Sequence, residues 1–175
     1  PHKGIDTAIE LLARLAPTHP DLHYLVVGRG GYEATLRKFA DTLGVADRFH
    51  LCTDVDDEEL PAAYAAGEIY LGLSRQEGLD VEGFGLSLLE ASATELPVIA
   101  GRSGGIADAV AEGESGVLVD PTDPEQATDM VAHLLGDRAL GAKLGQAGRA
   151  RVIRGFTWPR VIEDMRAMSA EFGRR

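Results

Sequence analysis

Short apolar runs alternate with stretches of helical periodicity along almost the whole chain. Ile5, Ala8, Ile9, Leu12 and Leu15 recur at three- and four-residue spacing, which predicts an opening helix. Pro17 and Pro20 interrupt it, and residues 22–27 then read as a buried strand ending at Gly28. The pattern goes on to predict a helix over 32–43 closed by Gly44, and a strand over 48–52. Asp56 and Glu59 have capping-box spacing and predict a helix running to about residue 66. Residues 68–73 read as a strand, and 85–94 as a helix with Leu86, Leu89, Glu90 and Ala93 in register. A strand over 97–100, a short helix over 106–111 and a strand over 116–119 complete the alternation. After Pro124 only helical periodicity remains. It ends in a stripe of Trp158, Val161, Ile162, Met165 and Met168.

Strands alternating with helices predict an α/β fold, with a doubly wound, mostly parallel, Rossmann-like sheet covered on both faces. The first predicted element is a helix, whereas in the dinucleotide-binding strand order the first strand is central. That strand is therefore expected just upstream of Pro1. Residues 1–175 are in turn expected to be stable only when upstream residues or a second chain supply it.

The composition narrows the class. With 175 residues, 45% hydrophobic and 26% charged, the chain has the size and mix of one soluble globular domain. No apolar run approaches the roughly 20 residues that span a bilayer. A net charge of -11 argues against nucleic-acid polymers, although a small anion can still bind at backbone amides. Cys52 is the only cysteine, so no internal disulfide forms, and a lone thiol fits a cytoplasmic protein. The five histidines are scattered without ligand spacing, and no metal site is expected.

The most informative stretch is Glu82-Gly83-Phe84-Gly85-Leu86-Ser87-Leu88-Leu89-Glu90, which follows a strand and a polar loop and opens a helix. Glycines let a backbone approach a ligand closely. The amides and dipole of the helix start favour an anion there. The two carboxylates can accept hydrogen bonds from paired hydroxyls, such as those of sugars and riboses.

These residues resemble the paired-glutamate motif of retaining GT-B glycosyltransferases of family 4. The resemblance extends over Lys3-Gly4, Val26-Val27-Gly28-Arg29-Gly30, Leu96 to Ala100 with Gly104-Gly105-Ile106, Gly116 to Val119, and Phe156-Thr157-Trp158. It implies the C-terminal, donor-binding half of such an enzyme. Residues 1–155 would form the nucleotide-sugar domain, and 156–175 a helix packing back on an N-terminal domain. It further implies that Lys3 contacts the donor diphosphate and that Gly28 belongs to the strand-to-glycine turn of the donor site. Glu82 would bind hydroxyls of the transferred sugar with the amides of Phe84 and Gly85, in the Gly83 turn. The amide of Leu86 would reach the phosphates, Glu90 would hold the ribose, and the base would lie near Val55. Glu82 and Lys3 are the expected catalytic pair. Retention in the family is explained by a front-face reaction assisted by the leaving phosphate, with neither a metal nor a cofactor beyond the nucleotide sugar. The acceptor, a lipid-linked glycoside or a polysaccharide, would be held by the N-terminal domain, through which membrane association stays open.

Two departures stand out. The family's arginine, five residues before its lysine, would fall before Pro1. The longer loop Gly78-Leu79-Asp80-Val81-Glu82-Gly83 resembles a subset that includes bacterial lipid-linked mannosyltransferases. That points toward a guanosine-diphosphate sugar, with uridine donors open.

Four other readings compete. Gly28-Arg29-Gly30 follows a strand as in dinucleotide-binding dehydrogenases, but Glu33 stands where that fingerprint needs a third small residue. Gly101-Arg102-Ser103-Gly104-Gly105 fits a serine-hydrolase elbow. However, His133 sits in a helical run, and Ser103 is read more simply as a helix cap. Asp54-Val55-Asp56 could be a metal-binding acid pair, yet a cap explains Asp56. A nucleotide-binding module without catalysis is the remaining alternative.

Overall fold

The computed structural model describes residues 2–172; Pro1 and the end of the expected C-terminal segment, 173–175, lie outside the described residues. The order is α1 (Ile5–Leu15), β1 (Tyr24–Val27), α2 (Glu33–Thr42), β2 (Phe49–Cys52), α3 (Leu60–Ala65), β3 (Tyr70–Gly72) and α4 (Leu86–Ala93). Then follow β4 (Val98–Gly101), α5 (Ile106–Ala109), β5 (Val117–Val119), α6 (Pro124–Gly136), α7 (Arg138–Gly155) and α8 (Trp158–Phe172). Each predicted element is present. No helix among the described residues is long and apolar enough to cross a membrane.

The apolar stripe of α1 is wide enough to serve two cores. Ala8, Leu11 and Leu15 pack with Leu73, Ile99 and Val119 and with Val131 and Leu134 of α6. Ile9 and Leu12 turn instead toward Ala40, Val45 and Phe49. Strand β4 is buried throughout. Val98 and Ala100 face Leu88, Leu89, Ile106 and Leu118, whereas Ile99 faces the α1 and α6 side. A continuous apolar run is what a parallel strand covered on both faces requires.

Among the described residues the strand pairs are parallel: β1 with β2, β3 with β4, and β4 with β5. Among the described residues they form two sheets, of two and three strands, where one continuous sheet was expected. β1 and β3 each have a hydrogen-bonded neighbour on one side only, and both line a cavity of about 1520 Å³. The resulting order is β2, β1, cavity, β3, β4, β5. The open position is thus central, where the dinucleotide-binding order has its first strand. Helix α1 joins the two sheets through the cores it shares with each.

Of the α4 residues in register, Leu86 is 67% exposed and Leu89 is buried, and Leu88, Ala91 and Ser92 are buried with it. The reason is that α4 lies between the β3–β4 sheet and α7, which selects the face that is inside. One expectation needs correction: Ser103 does not cap α5 with its side chain; Gly105 is the cap residue, and Ser103 offers only its carbonyl to the amide of Ile106. The capping box before α3 does form. The amides of Glu58 and Glu59 both donate to Asp56 Oδ1 at 2.9 Å, and the Asp56 amide donates to Glu59 at 3.3 Å. No residue of α8 is buried, and Trp158, Ile162, Met165 and Met168 are exposed along it.

Candidate functional site

Lys3 is held in place by the turn that starts α1. Gly4, at φ 67°, caps the helix so close to β3 that a Cβ would collide with the backbone of Leu73. Only glycine combines that backbone with that approach. The Arg75 amide donates to the His2 carbonyl at 2.8 Å. The Arg75 guanidinium donates to Asp6 at 2.9 and 2.6 Å and to Glu77 at 3.0 Å. This network fastens Lys3 to the carboxyl end of β3.

There Lys3 meets Glu82, with Nζ 2.5 Å from Oε2. The buried Ser74 donates its hydroxyl to the same oxygen at 3.1 Å. The loop leading to Glu82 closes on itself, because Glu77 and Asp80 exchange backbone hydrogen bonds of 2.9 Å. From below, the Gly105 amide donates to the Glu82 carbonyl at 3.1 Å. A side chain at Gly104 would collide with that carbonyl, so the second glycine-rich loop fixes the height of the first.

The electrostatics follow from these contacts. Partial burial by itself would raise the Glu82 pKa, but the hydrogen bond and charge of Lys3, with Ser74, outweigh it and hold the carboxyl below its ordinary value. Asp6 behaves in the same way: burial opposes ionisation and Arg75 prevails, lowering its pKa. A depressed carboxylate contributes stability that is present above its unfolded pKa and lost as pH falls through the folded one. The unfolded values are 4.5 for Glu82 and 3.8 for Asp6, so the expected loss lies on the acid side of these values. Thermal unfolding of wild type and Asp6→Asn should differ at pH 7 and converge as pH falls through the lowered folded value of Asp6. A difference that stays constant down to acid pH would mean that Asp6 is not ionically linked to folding.

The expected site residues divide into two groups. Lys3, Gly28, Glu82 and Gly85 line the same cavity. Val55 does not; it is half-buried in the loop after β2. Gly83, Phe84, Leu86 and Glu90 also lie outside the lining. The Phe84 ring turns into the core, 5.7 Å from the ring of Phe156. Glu90, exposed on α4, accepts a 2.7 Å hydrogen bond from the hydroxyl of Tyr64, which does line the cavity. Ser74, Arg75 and Tyr64 were not singled out from the sequence. Their positions give no periodic signal, and Tyr64 and Arg75 act on residues distant in the chain.

A lysine–carboxylate pair thus stands at the carboxyl ends of parallel strands, beside a helix that starts after Gly85. In open α/β sheets this end is where ligands bind, and helix starts favour anions.

Residues 1–151 match the sequence model of the family described as glycosyl transferases group 1. Over 160 residues the chain is 41% identical to a Mycolicibacterium smegmatis protein named GDP-mannose-dependent alpha-(1-6)-phosphatidylinositol monomannoside mannosyltransferase, covering 90% of this chain and 42% of that protein. It is 35% identical over 177 residues to a D-inositol 3-phosphate glycosyltransferase of Corynebacterium efficiens, covering 98% and 40% of the two. The chain therefore spans less than half the length of these relatives. Among solved structures, the C-terminal domain of a glycosyl transferase group 1 family protein from Francisella tularensis matches with a TM-score of 0.79 at 27% identity, over 90% of this chain and 81% of that one. Sucrose-phosphate synthase from Thermosynechococcus elongatus matches with a TM-score of 0.84 at 29% identity, over 98% and 42%. By sequence over most of its length, and by a Rossmann-like fold shared with the C-terminal half of GT-B enzymes, the chain belongs to the glycosyl transferases group 1 family.

Proposed function

We propose that this domain binds a nucleoside-diphosphate sugar, GDP-mannose or a near analogue, for retaining transfer of the sugar to an acceptor held by an N-terminal domain of the same polypeptide. The observation that carries the reading is the cluster of Lys3, Glu82 and Ser74 beside the start of α4. It sets a cation and a carboxylate side by side, matching a donor that carries diphosphate charge next to sugar hydroxyls. The guanosine and mannose choices rest on the names of relatives such as the Mycolicibacterium protein. The inositol in the names of both relatives supports an inositol-containing acceptor.

In this reading Lys3 and the first amides of α4 stabilise the diphosphate as the bond from its oxygen to the anomeric carbon breaks. Glu82 accepts hydrogen bonds from the sugar and holds it in the reacting orientation. The acceptor oxygen bonds to the same face of the anomeric carbon, and its proton passes to the departing phosphate oxygen. That sequence uses no protein nucleophile and no metal, as the resemblance to family 4 implies.

The test is calorimetric titration of GDP, UDP, GDP-mannose and UDP-glucose into the full-length enzyme in the presence of EDTA. GDP and GDP-mannose are expected to bind at least about tenfold more tightly than their uridine counterparts, a difference of about 1.4 kcal/mol. Failure of every nucleotide to bind, or binding that appears only when manganese replaces EDTA, would overturn the reading.

A further inference from the structure

We propose that Tyr64 is the positioning residue for Glu90, fixing its carboxylate in the orientation that accepts a ribose diol; this rests on the reading of the domain as a nucleoside-diphosphate-sugar site. Glu90 is exposed on α4, and a glutamate there has three freely rotating torsions. Tyr64 belongs to a different element, α3, and spans 26 residues of sequence to place its hydroxyl 2.7 Å from Glu90 Oε2. Its ring is itself anchored, 5.9 Å from the ring of Tyr70 in β3 and packed on the core around Leu88, Val98 and Leu118. The carboxylate is thus held from a rigid layer of the fold rather than from its own helix.

The stereochemistry leaves room for a ligand. A carboxylate offers about four lone-pair directions, and one phenol occupies a single one of them. Oε1 and the second lone pair of Oε2 remain for two neighbouring hydroxyls. Burial raises the Tyr64 pKa, and the hydrogen bond to Glu90 raises it further, so the phenol keeps its proton and always acts as donor. Among the described residues Glu82 is paired with a cation, whereas Glu90 takes part in no ion pair. A neutral donor therefore orients Glu90 without cancelling the charge that strengthens its bonds to hydroxyl groups. Fixing the side chain before the ligand arrives also removes part of the ordering cost of binding.

The experiment compares GDP with 2′,3′-dideoxy-GDP, which lacks both hydroxyls of the diol, on the full-length enzyme, using wild type, Tyr64→Phe, Glu90→Ala and the double variant. Phenylalanine keeps the ring against Tyr70 and removes only the donor. Tyr64→Phe is expected to weaken GDP about three- to tenfold while hardly changing 2′,3′-dideoxy-GDP, so the preference for the ribose form shrinks. Glu90→Ala should abolish the preference, and adding Tyr64→Phe to it should change nothing more. An unchanged preference in Tyr64→Phe, equal losses for both nucleotides, or tighter GDP binding would each overturn the positioning role. A preference that survives Glu90→Ala would instead overturn the ribose assignment of Glu90 itself.

Discussion

Glu82→Ala in the full-length enzyme is expected to lower sugar transfer about a hundred- to a thousandfold. The same variant should bind bare GDP as tightly as wild type or more so. The two halves of this result have one cause. In the structure Lys3 is engaged with Glu82 at 2.5 Å, so an incoming diphosphate competes with that carboxylate for the ammonium group. Removing the carboxylate frees Lys3 for phosphate while depriving the sugar of its acceptor and the reacting bond of its orientation. Glu90→Ala should do the reverse, weakening bare GDP by about 1–3 kcal/mol through lost hydrogen bonds to a charged group. Steady-state transfer rates and GDP titrations of the two variants, measured side by side, check the division. If both variants weakened bare GDP equally, the two glutamates would not have separate roles.

The elements of this fold were legible because their burial is periodic. The spacing of Ile5, Ala8, Ile9, Leu12 and Leu15 is a direct image of the two cores that α1 serves, and Val98-Ile99-Ala100 of a strand with helices on both sides. The motif glutamates were legible through their resemblance to a family, not through periodicity. What could not be read were pairings between residues far apart in the chain. Lys3 and Glu82 are separated by 79 positions, Tyr64 and Glu90 by 26, and Arg75 and Asp6 by 69. Each pairing depends on how the ends of parallel strands are brought together, which local propensity does not encode. The exposure of Leu86 was not legible for a related reason: helical spacing gives a register, but the packing of α7 on α4 decides which face is inside.

The division of the strands into two sheets leads to the largest expected effect on stability. Among the described residues β1 and β3 each present an unpaired edge to the same central cavity, lined also by Leu11, Leu12 and Leu22. Leu25, in the middle of β1, is 43% exposed, and α8 carries a second exposed stripe ending in Phe172. Unpaired strand edges next to apolar side chains recruit another strand or aggregate. A parallel strand lying in that cavity can pair with the edge of β1 on one side and of β3 on the other, as an interior strand of a sheet does. Residues 1–175 on their own are therefore expected to self-associate. They should also unfold on the order of 10–20 °C below the same domain in a polypeptide that supplies such a strand. Sedimentation and thermal unfolding of the two proteins provide the comparison. A monodisperse monomer with one sharp transition at the temperature of the longer protein would show that the edges of β1 and β3 need no further strand.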